Sequence, residues 1–125
     1  MKIAFSRSRT YTPTWNGNDK SEDPFRAIIR PTDMATLIDL VDVFQAAGFN
    51  GKVDTDDISV NSMKAIVASG AQALPRFVKI ENLHGDDGEV TIQDVVDNAF
   101  FMKLALELLA KLADFSSPTD ADEGN

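Results

Sequence analysis

The sequence predicts a single small α+β domain with three main helices and two short β-hairpins. Three segments carry the apolar spacing of amphipathic helices, and several shorter segments alternate apolar and polar residues as strands do. These segments do not follow the regular strand–helix–strand order of a parallel sheet, so an α+β arrangement is favoured. The length of 125 residues suits one domain. We place this domain at residues 1–115, with an N-terminal hairpin over residues 1–30 and a mainly helical body over residues 31–115.

The first hairpin is predicted from two strand patterns and the turn signals between them. Residues 3–12 are rich in Ser, Thr and aromatic side chains, and residues 13–24 contain Asn-Gly and two Pro. In the second strand, Phe25, Ala27 and Ile29 share one face. A lone hairpin is only marginally stable, so it must pack on the rest of the chain or on another copy.

The first helix is predicted from Thr32, a candidate N-cap, to about Ala47, with Gly48 as the stop. Most of its surface is apolar. One stripe is formed by Leu37, Val41 and Phe44. Met34 and Ile38 lie beside this stripe, and Leu40 and Val43 lie off it.

A loop over residues 49–57 and a second helix over residues 58–74 follow. Gly70 weakens this helix by about 1 kcal/mol relative to Ala. We expect Pro75 to end it, because a proline disfavours helical backbone in the residue before it.

Residues 77–83 alternate as a short strand, and Val90 is a candidate to pair with it as the second hairpin. The segment between them is acidic and contains the only His of the chain, so a metal site, an acid–base site and a turn must be compared. The four polar residues concerned are His84, Asp86, Asp87 and Glu89. Their spacing lacks the pattern of an EF-hand, and transition-metal sites usually gather several His or Cys. Because Gly85 and Gly88 suit a tight turn, we expect a solvated hairpin tip.

A capping box at Thr91 and Asp94 opens a long helix that we expect to continue to about Phe115. Residues 116–125 are predicted to be a disordered acidic tail. Within the helix, Lys103, Glu107 and Lys111 form one polar stripe, in which Glu107 and Lys111 have the orientation of a helical ion pair. The rest is apolar and forms two stripes, one with Phe101, Leu104, Leu108, Leu112 and Phe115, the other with Met102, Ala105, Leu106, Leu109 and Ala113.

A helix that is apolar nearly all round must be covered nearly all round. Two alternatives follow: the chain wraps the helix entirely, or one stripe and part of the first helix form an oligomer or partner interface. The larger first stripe suits the core, so the second stripe supplies the candidate contacts. The predicted partner-binding residues are Met102, Leu106, Leu109, Ala113, Met34, Leu40 and Val43.

Composition and motifs argue against catalysis. The chain has no Cys and none of the common nucleotide, hydrolase or zinc-protease motifs, so no catalytic, cofactor-binding or metal-binding residues are expected. A net charge of −8 argues against nucleic acid as a partner, and the most apolar window is too short and too charged to span a membrane.

The charge is unevenly distributed along the chain. Residues 1–30 carry six Lys and Arg against three acids, whereas residues 31–125 carry six against seventeen. Either a basic hairpin packs near an acidic helical body, or the asymmetry serves a head-to-tail contact between copies or a contact with an acidic partner.

Four segments occur in an order that resembles one protein family. They are residues 11–18 (YTPTWNGN), residues 29–33 (IRPTD), residues 77–96 (FVKIENLHGDDGEVTIQDVV) and the closing amphipathic helix. Over about residues 10–115 the chain is similar to the tail assembly chaperones of tailed bacteriophages and prophages.

The resemblance implies a non-catalytic protein of the bacterial host cytoplasm that binds the tape-measure protein, tail-tube subunits or both during tail assembly. A homo-oligomer is expected separately, from the apolar faces of the last and first helices. The alternative is a structural tail completion or connector protein that is retained in the virion.

Overall fold

A three-stranded antiparallel sheet forms one side of the fold. The computed structural model describes residues 1–5, 7–48 and 59–117. The strands are β1 (Arg9–Tyr11), β2 (Arg26–Ile29) and β3 (Val78–Glu81), in the order β1-β2-β3. The alternation predicted for the second strand is confirmed, because Phe25, Ala27 and Ile29 are all buried. The first strand is much shorter than the predicted residues 3–12.

The predicted N-terminal hairpin is formed, because β1 and β2 pair in antiparallel fashion. The partner of β3 is corrected: we expected residues 77–83 to pair with Val90, but β3 pairs with β2, so that Ala27 lies opposite Ile80 and Ile29 opposite Val78. Val90 bonds only beyond the end of β3, where its amide donates to the Leu83 carbonyl. The second hairpin is the small ribbon of β4 (His84–Gly85) and β5 (Gly88–Glu89) beyond the end of β3.

The connection between β1 and β2 is held by one buried amide. It contains a 3₁₀ segment over Trp15–Lys20, with left-handed backbone at Asn16 and Gly17 (φ 56° and 73°). Asn18 Nδ2 donates to the carbonyls of Pro13 and Phe25, and Asn18 Oδ1 accepts from the Phe25 amide at 2.8 Å. Asn18 thus fixes both ends of the loop.

Helix α1 (Met34–Ala46) begins one residue later than predicted. Asp33, rather than Thr32, is the N-cap, and its carboxylate accepts from the Thr36 amide at 2.8 Å. Gly48 follows the helix with φ 92°, as expected for a glycine stop. The predicted loop over residues 49–57 and the predicted start of the second helix lie outside the described residues.

Helix α2 (Val60–Gly70) is followed by a turn and by the short helix α3 (Leu74–Phe77). Our expectation for Pro75 is corrected here: it does not end a long helix but lies in the first turn of α3. A proline is tolerated there because the first amides of a helix have no intrahelical partner.

The predicted capping box is confirmed at the start of α4 (Ile92–Asp97), where the Thr91 and Asp94 side chains each accept from the other residue's amide. The long helix is nevertheless broken. Asn98 has extended backbone, and its Nδ2 donates to the Asp94 carbonyl at 2.8 Å, which ends α4. A 3₁₀ segment, Ala99–Phe101, leads to α5 (Met102–Ser116). Helix α5 includes Ser116, the first residue of the predicted tail. Residues 118–125 of that tail lie outside the described residues.

Helix α5 is the centre of the core. It packs against α1, α2, α3, α4 and β2. Six residues on successive turns of α5 are buried: Leu104, Ala105, Leu106, Leu108, Leu109 and Leu112. Since the helices and the three-stranded sheet share this one core, and both sheets are antiparallel, the predicted α+β class and single domain are confirmed.

The close contact between α2 and α5 requires Gly70. A Cβ added at Gly70 would lie 2.5 Å from Leu109 Cδ2 and 3.1 Å from Leu109 Cγ. Leu109 is completely buried, so its side chain has little room to move away. Gly70 is therefore a packing residue, and the helix propensity lost at this position is offset by the approach of the two helices.

Replacing Gly70 with Ala tests this contact. Despite the higher helix propensity of Ala, we expect Gly70→Ala to lower the free energy of unfolding by about 1–3 kcal/mol, the usual effect of overpacking. Urea denaturation measures the change. The exposed neighbouring variant Ser69→Ala is the control and should be neutral or slightly stabilising. A Gly70→Ala protein more stable than the wild type would contradict the proposed packing role.

Candidate partner-binding surfaces

The structure corrects the predicted partner-binding stripe of α5. Leu106 and Leu109 were expected on the surface, but both are 0% exposed, and Leu40 of α1 is also buried. The chain itself covers the central residues of both apolar stripes of α5, and the residues towards the two ends of the stripes are half-buried. The alternative in which the chain wraps its last helix therefore describes the fold, and these three leucines belong to the core.

The other predicted contact residues are distributed differently. Met102, Ala113 and Val43 are half-buried and pack against the core. Met34, in contrast, is 72% exposed. Their role in binding stays a prediction, and Met34 has the strongest position for it.

The double variant Leu106→Lys and Leu109→Lys should fail to fold. It would bury two charges without partners in a close-packed core, a change that costs several kcal/mol. Circular dichroism in the near ultraviolet, where Trp15 reports tertiary packing, distinguishes the outcomes. Asp114→Lys, at an exposed position of the same helix, is the folded control. A folded double variant that has lost only its binding would show that Leu106 and Leu109 are contact residues after all.

Glu107 is a polar anchor in the middle of α5. Its carboxylate accepts from the Tyr11 hydroxyl, from the Thr14 amide at 2.7 Å and from the Trp15 amide at 3.0 Å, and the Thr14 hydroxyl adds a contact at 3.2 Å. In the part of the chain that the structure describes, no ion pair joins it to Lys111, so the predicted helical pair is not formed. Glu107 instead fastens the N-terminal segment to the last helix.

Aromatic and cationic groups surround this anchor. The Lys111 ammonium lies 5.2 Å from the centre of the Tyr11 ring, and the Arg9 guanidinium lies 5.3 Å from the Phe115 ring. Tyr11 and Phe115 meet edge to face. Burial raises the pKa of the Tyr11 hydroxyl well above its usual value, and its hydrogen bond to Glu107 raises it further, because a tyrosinate there would face the carboxylate.

Tyr11 is the only tyrosine of the chain, so its ionisation can be measured directly. Its folded pKa is raised above the unfolded value of about 10, so the folded protein retains a proton that the unfolded chain has lost. The free energy of unfolding should therefore fall as the pH rises above about 10. The absorbance of tyrosinate during an alkaline titration gives the pKa.

Two variants serve as controls for this titration. Tyr11→Phe should lack this part of the pH dependence, and Glu107→Gln should bring the Tyr11 pKa part of the way back towards its usual value. A Tyr11 midpoint at or below the usual value in the wild type would contradict the buried contact with Glu107.

The acidic hairpin tip has the geometry of a turn. All residues from His84 to Glu89 are exposed, and Gly88 has φ 124°. His84 Nε2 lies 3.3 Å from Asn82 Oδ1 within the ribbon. Within residues 1–5, 7–48 and 59–117, no three His, Asp or Glu side chains are grouped closely enough to hold a metal ion.

Helix α1 presents an apolar stripe to solvent. Met34 and Ile38 are 72% and 52% exposed, and Val41, half-buried, continues the same stripe one turn later. Asp39 and Asp42 are exposed on the adjacent part of the helix. The periodicity of α1 indicates an unusually wide apolar face. The packing of α1 against α2 and α5 buries Leu40 and Phe44 on one part of this face and leaves the outer stripe in solvent.

A second exposed aromatic lies where the chain enters α5. Phe100 is 74% exposed, and its ring contacts those of Trp15 and Phe101 with centroids 5.8 and 5.0 Å apart. The sequence pattern does not indicate this cluster, because it predicts a continuous helix there.

The outer face of the three-stranded sheet is basic. Arg26 and Arg30 point away from the core on this face, and Lys79 of β3 lies opposite Ile28 of β2. Arg76 of α3 adjoins them and pairs with Asp33 at 3.1 Å. Hydrogen bonds from Thr36 hold the pKa of the Asp33 carboxyl below its usual value, and Arg76 lowers it further.

Comparisons with protein-family models, with curated proteins and with solved structures found no match to this chain. Among the helices of the described residues, none has the length and apolar character needed to cross a membrane.

Proposed function

We propose that this chain is a non-catalytic phage tail assembly chaperone that binds the tape-measure protein, tail-tube subunits or both in the cytoplasm of a bacterial host. The proposal joins two supports. One is the resemblance over residues 10–115. The other, which carries it physically, is the apolar stripe of α1, in which Met34 and Ile38 are exposed and Val41 is half-buried.

The stripe suits a helical partner. Its residues follow the i, i+4, i+7 spacing that an amphipathic helix uses when it packs against another helix. Methionine adapts to differently shaped neighbours, which favours a surface that must accept several segments of one long helical protein. Asp39 and Asp42 beside the stripe favour partner segments that also carry Lys or Arg.

A pull-down tests this surface. We expect co-expression with a phage tape-measure protein to yield a complex with the wild type. Met34→Lys with Ile38→Lys should weaken capture at least about tenfold, since central apolar contacts carry most of the energy of an interface. Both side chains are exposed, so the variant should fold. Val60→Lys changes an exposed apolar residue on α2 (62% exposed) and should capture the partner normally.

The alternative function is a structural tail completion or connector protein. Mass spectrometry of purified virions separates the two, because a chaperone should leave before the particle is complete. Stoichiometric recovery of the chain from virions would favour the structural protein. Unchanged capture by the Met34 and Ile38 variant would show that the α1 stripe is not the binding surface.

A further inference from the structure

The outer face of the sheet contains a shallow depression lined by three cationic side chains, whereas the chain as a whole is acidic. It is open to solvent and has a volume of about 220 Å³. Its lining is partly apolar, with Ile28, Pro75 and Phe77, and partly cationic, with Arg30, Arg76 and Lys79 around what we call its rim. The chain as a whole has a net charge of −8, so this basic face is an exception that overall composition does not explain.

The two arginines of the rim are held in place. Arg30 Nε donates to the Arg76 carbonyl at 3.1 Å, with a second bond from Nη2. The guanidiniums of Arg30 and Arg76 lie 5.4 and 4.9 Å from the centre of the Phe77 ring. An arginine fixed in this way still has N–H groups for a carboxylate, and less side-chain entropy is lost when the carboxylate binds.

The acidic hairpin tip has the complementary properties. Asp86, Asp87 and Glu89 place three exposed carboxylates on one narrow two-stranded ribbon. The ribbon protrudes beyond β3, and the bond from the Val90 amide to the Leu83 carbonyl at 2.7 Å closes its base. A slender acidic projection of this kind fits an open basic depression.

We propose that this depression binds the acidic hairpin tip of a second copy of the chain. The two elements of one copy lie at opposite ends of β3, with the depression at its start and the tip beyond its end, and the strand itself spans about 10 Å. A second copy supplies the tip at the same concentration as the depression. Charge complementarity then gives the contact its orientation and register.

The two surfaces are different parts of the molecule, so the contact is head to tail. Such contacts produce rings if the rotation closes and open chains if it does not. The contact depends on exposed charges, and it should weaken strongly as salt is added. It does not involve the α1 stripe, so it can be tested independently of the proposed function.

A charge exchange between the two surfaces is the decisive experiment. Analytical ultracentrifugation at low salt should show the wild type associating. Arg30→Glu with Lys79→Glu, or Asp86→Lys with Asp87→Lys, should each weaken association at least about tenfold. The chain carrying all four substitutions has the wild-type net charge and should associate again, because the attraction is restored with reversed sign.

Matched variants separate a specific contact from a general effect of charge. Lys64→Glu with Lys103→Glu makes the same change in net charge at exposed positions of α2 and α5, and should associate like the wild type. If the Arg30 variant does not fold, Lys79→Glu alone, with and without Asp87→Lys, gives the same test with a smaller effect.

Several results would overturn the proposal. The wild type could be monomeric at low salt, the chain with all four substitutions could fail to associate, or the control pair Lys64→Glu with Lys103→Glu could lose association to the same extent. A wild type that stays monomeric but binds poly-glutamate through Arg30 and Lys79 would show that the occupant is another acidic chain, and the proposed contact between copies would be wrong.

Discussion

The fold depends on covering one helix that is apolar on almost every side. Water must be excluded from two adjacent stripes of α5, and burial of apolar surface is the main source of folding free energy. Helices α1 and α2, the short helices α3 and α4 and strand β2 all contact α5. A small domain can surround a helix in this way only if its neighbours approach closely. Gly70, which has no side chain to keep α2 away from Leu109, permits that approach.

Glu107 turns the remaining polar side of α5 into an attachment point. A charged group in the middle of an apolar helix needs hydrogen-bond partners, and the N-terminal segment supplies two amides and two hydroxyls. The amides of Thr14 and Trp15 lie in a loop and have no sheet partner there, so the carboxylate satisfies them as well. One side chain thus closes the last side of the helix and fixes β1 at the edge of the sheet.

Features governed by nearby residues could be predicted from the sequence. The alternation of Phe25, Ala27 and Ile29, the Thr91–Asp94 capping box, the Gly48 stop and the hairpin tip all depend on a few neighbouring residues. The pairing of β2 with β3 could not be predicted, because these strands are distant in sequence and alternation does not identify the partner strand. The break at Asn98 was also missed, since the apolar periodicity continues through it and the amide side chain ends α4 by bonding to the backbone.

The same distinction applies to the candidate surfaces. The exposure of Met34 agrees with its position among the predicted contacts, but the sequence pattern could not distinguish it from Leu40, because both lie on one wide apolar face. The charge asymmetry of the chain was visible from composition, whereas the depression around Phe77 was not. It requires residues from β2, α3 and β3 to be brought together.

With α5 enclosed, any partner must use the outer surfaces, and two of them adjoin at the Asp33–Arg76 pair. Asp33 caps α1 immediately before Met34, and Arg76 lies on the rim of the basic depression. The two surfaces have different physical character. Contacts on the apolar stripe depend mainly on buried area and change little with salt, whereas contacts on the basic face are screened by it. Because the surfaces share this boundary, a large partner on α1 would extend towards the depression. The proposed binding of a partner and the proposed contact between copies would therefore influence each other through occupied space, without any change in the fold.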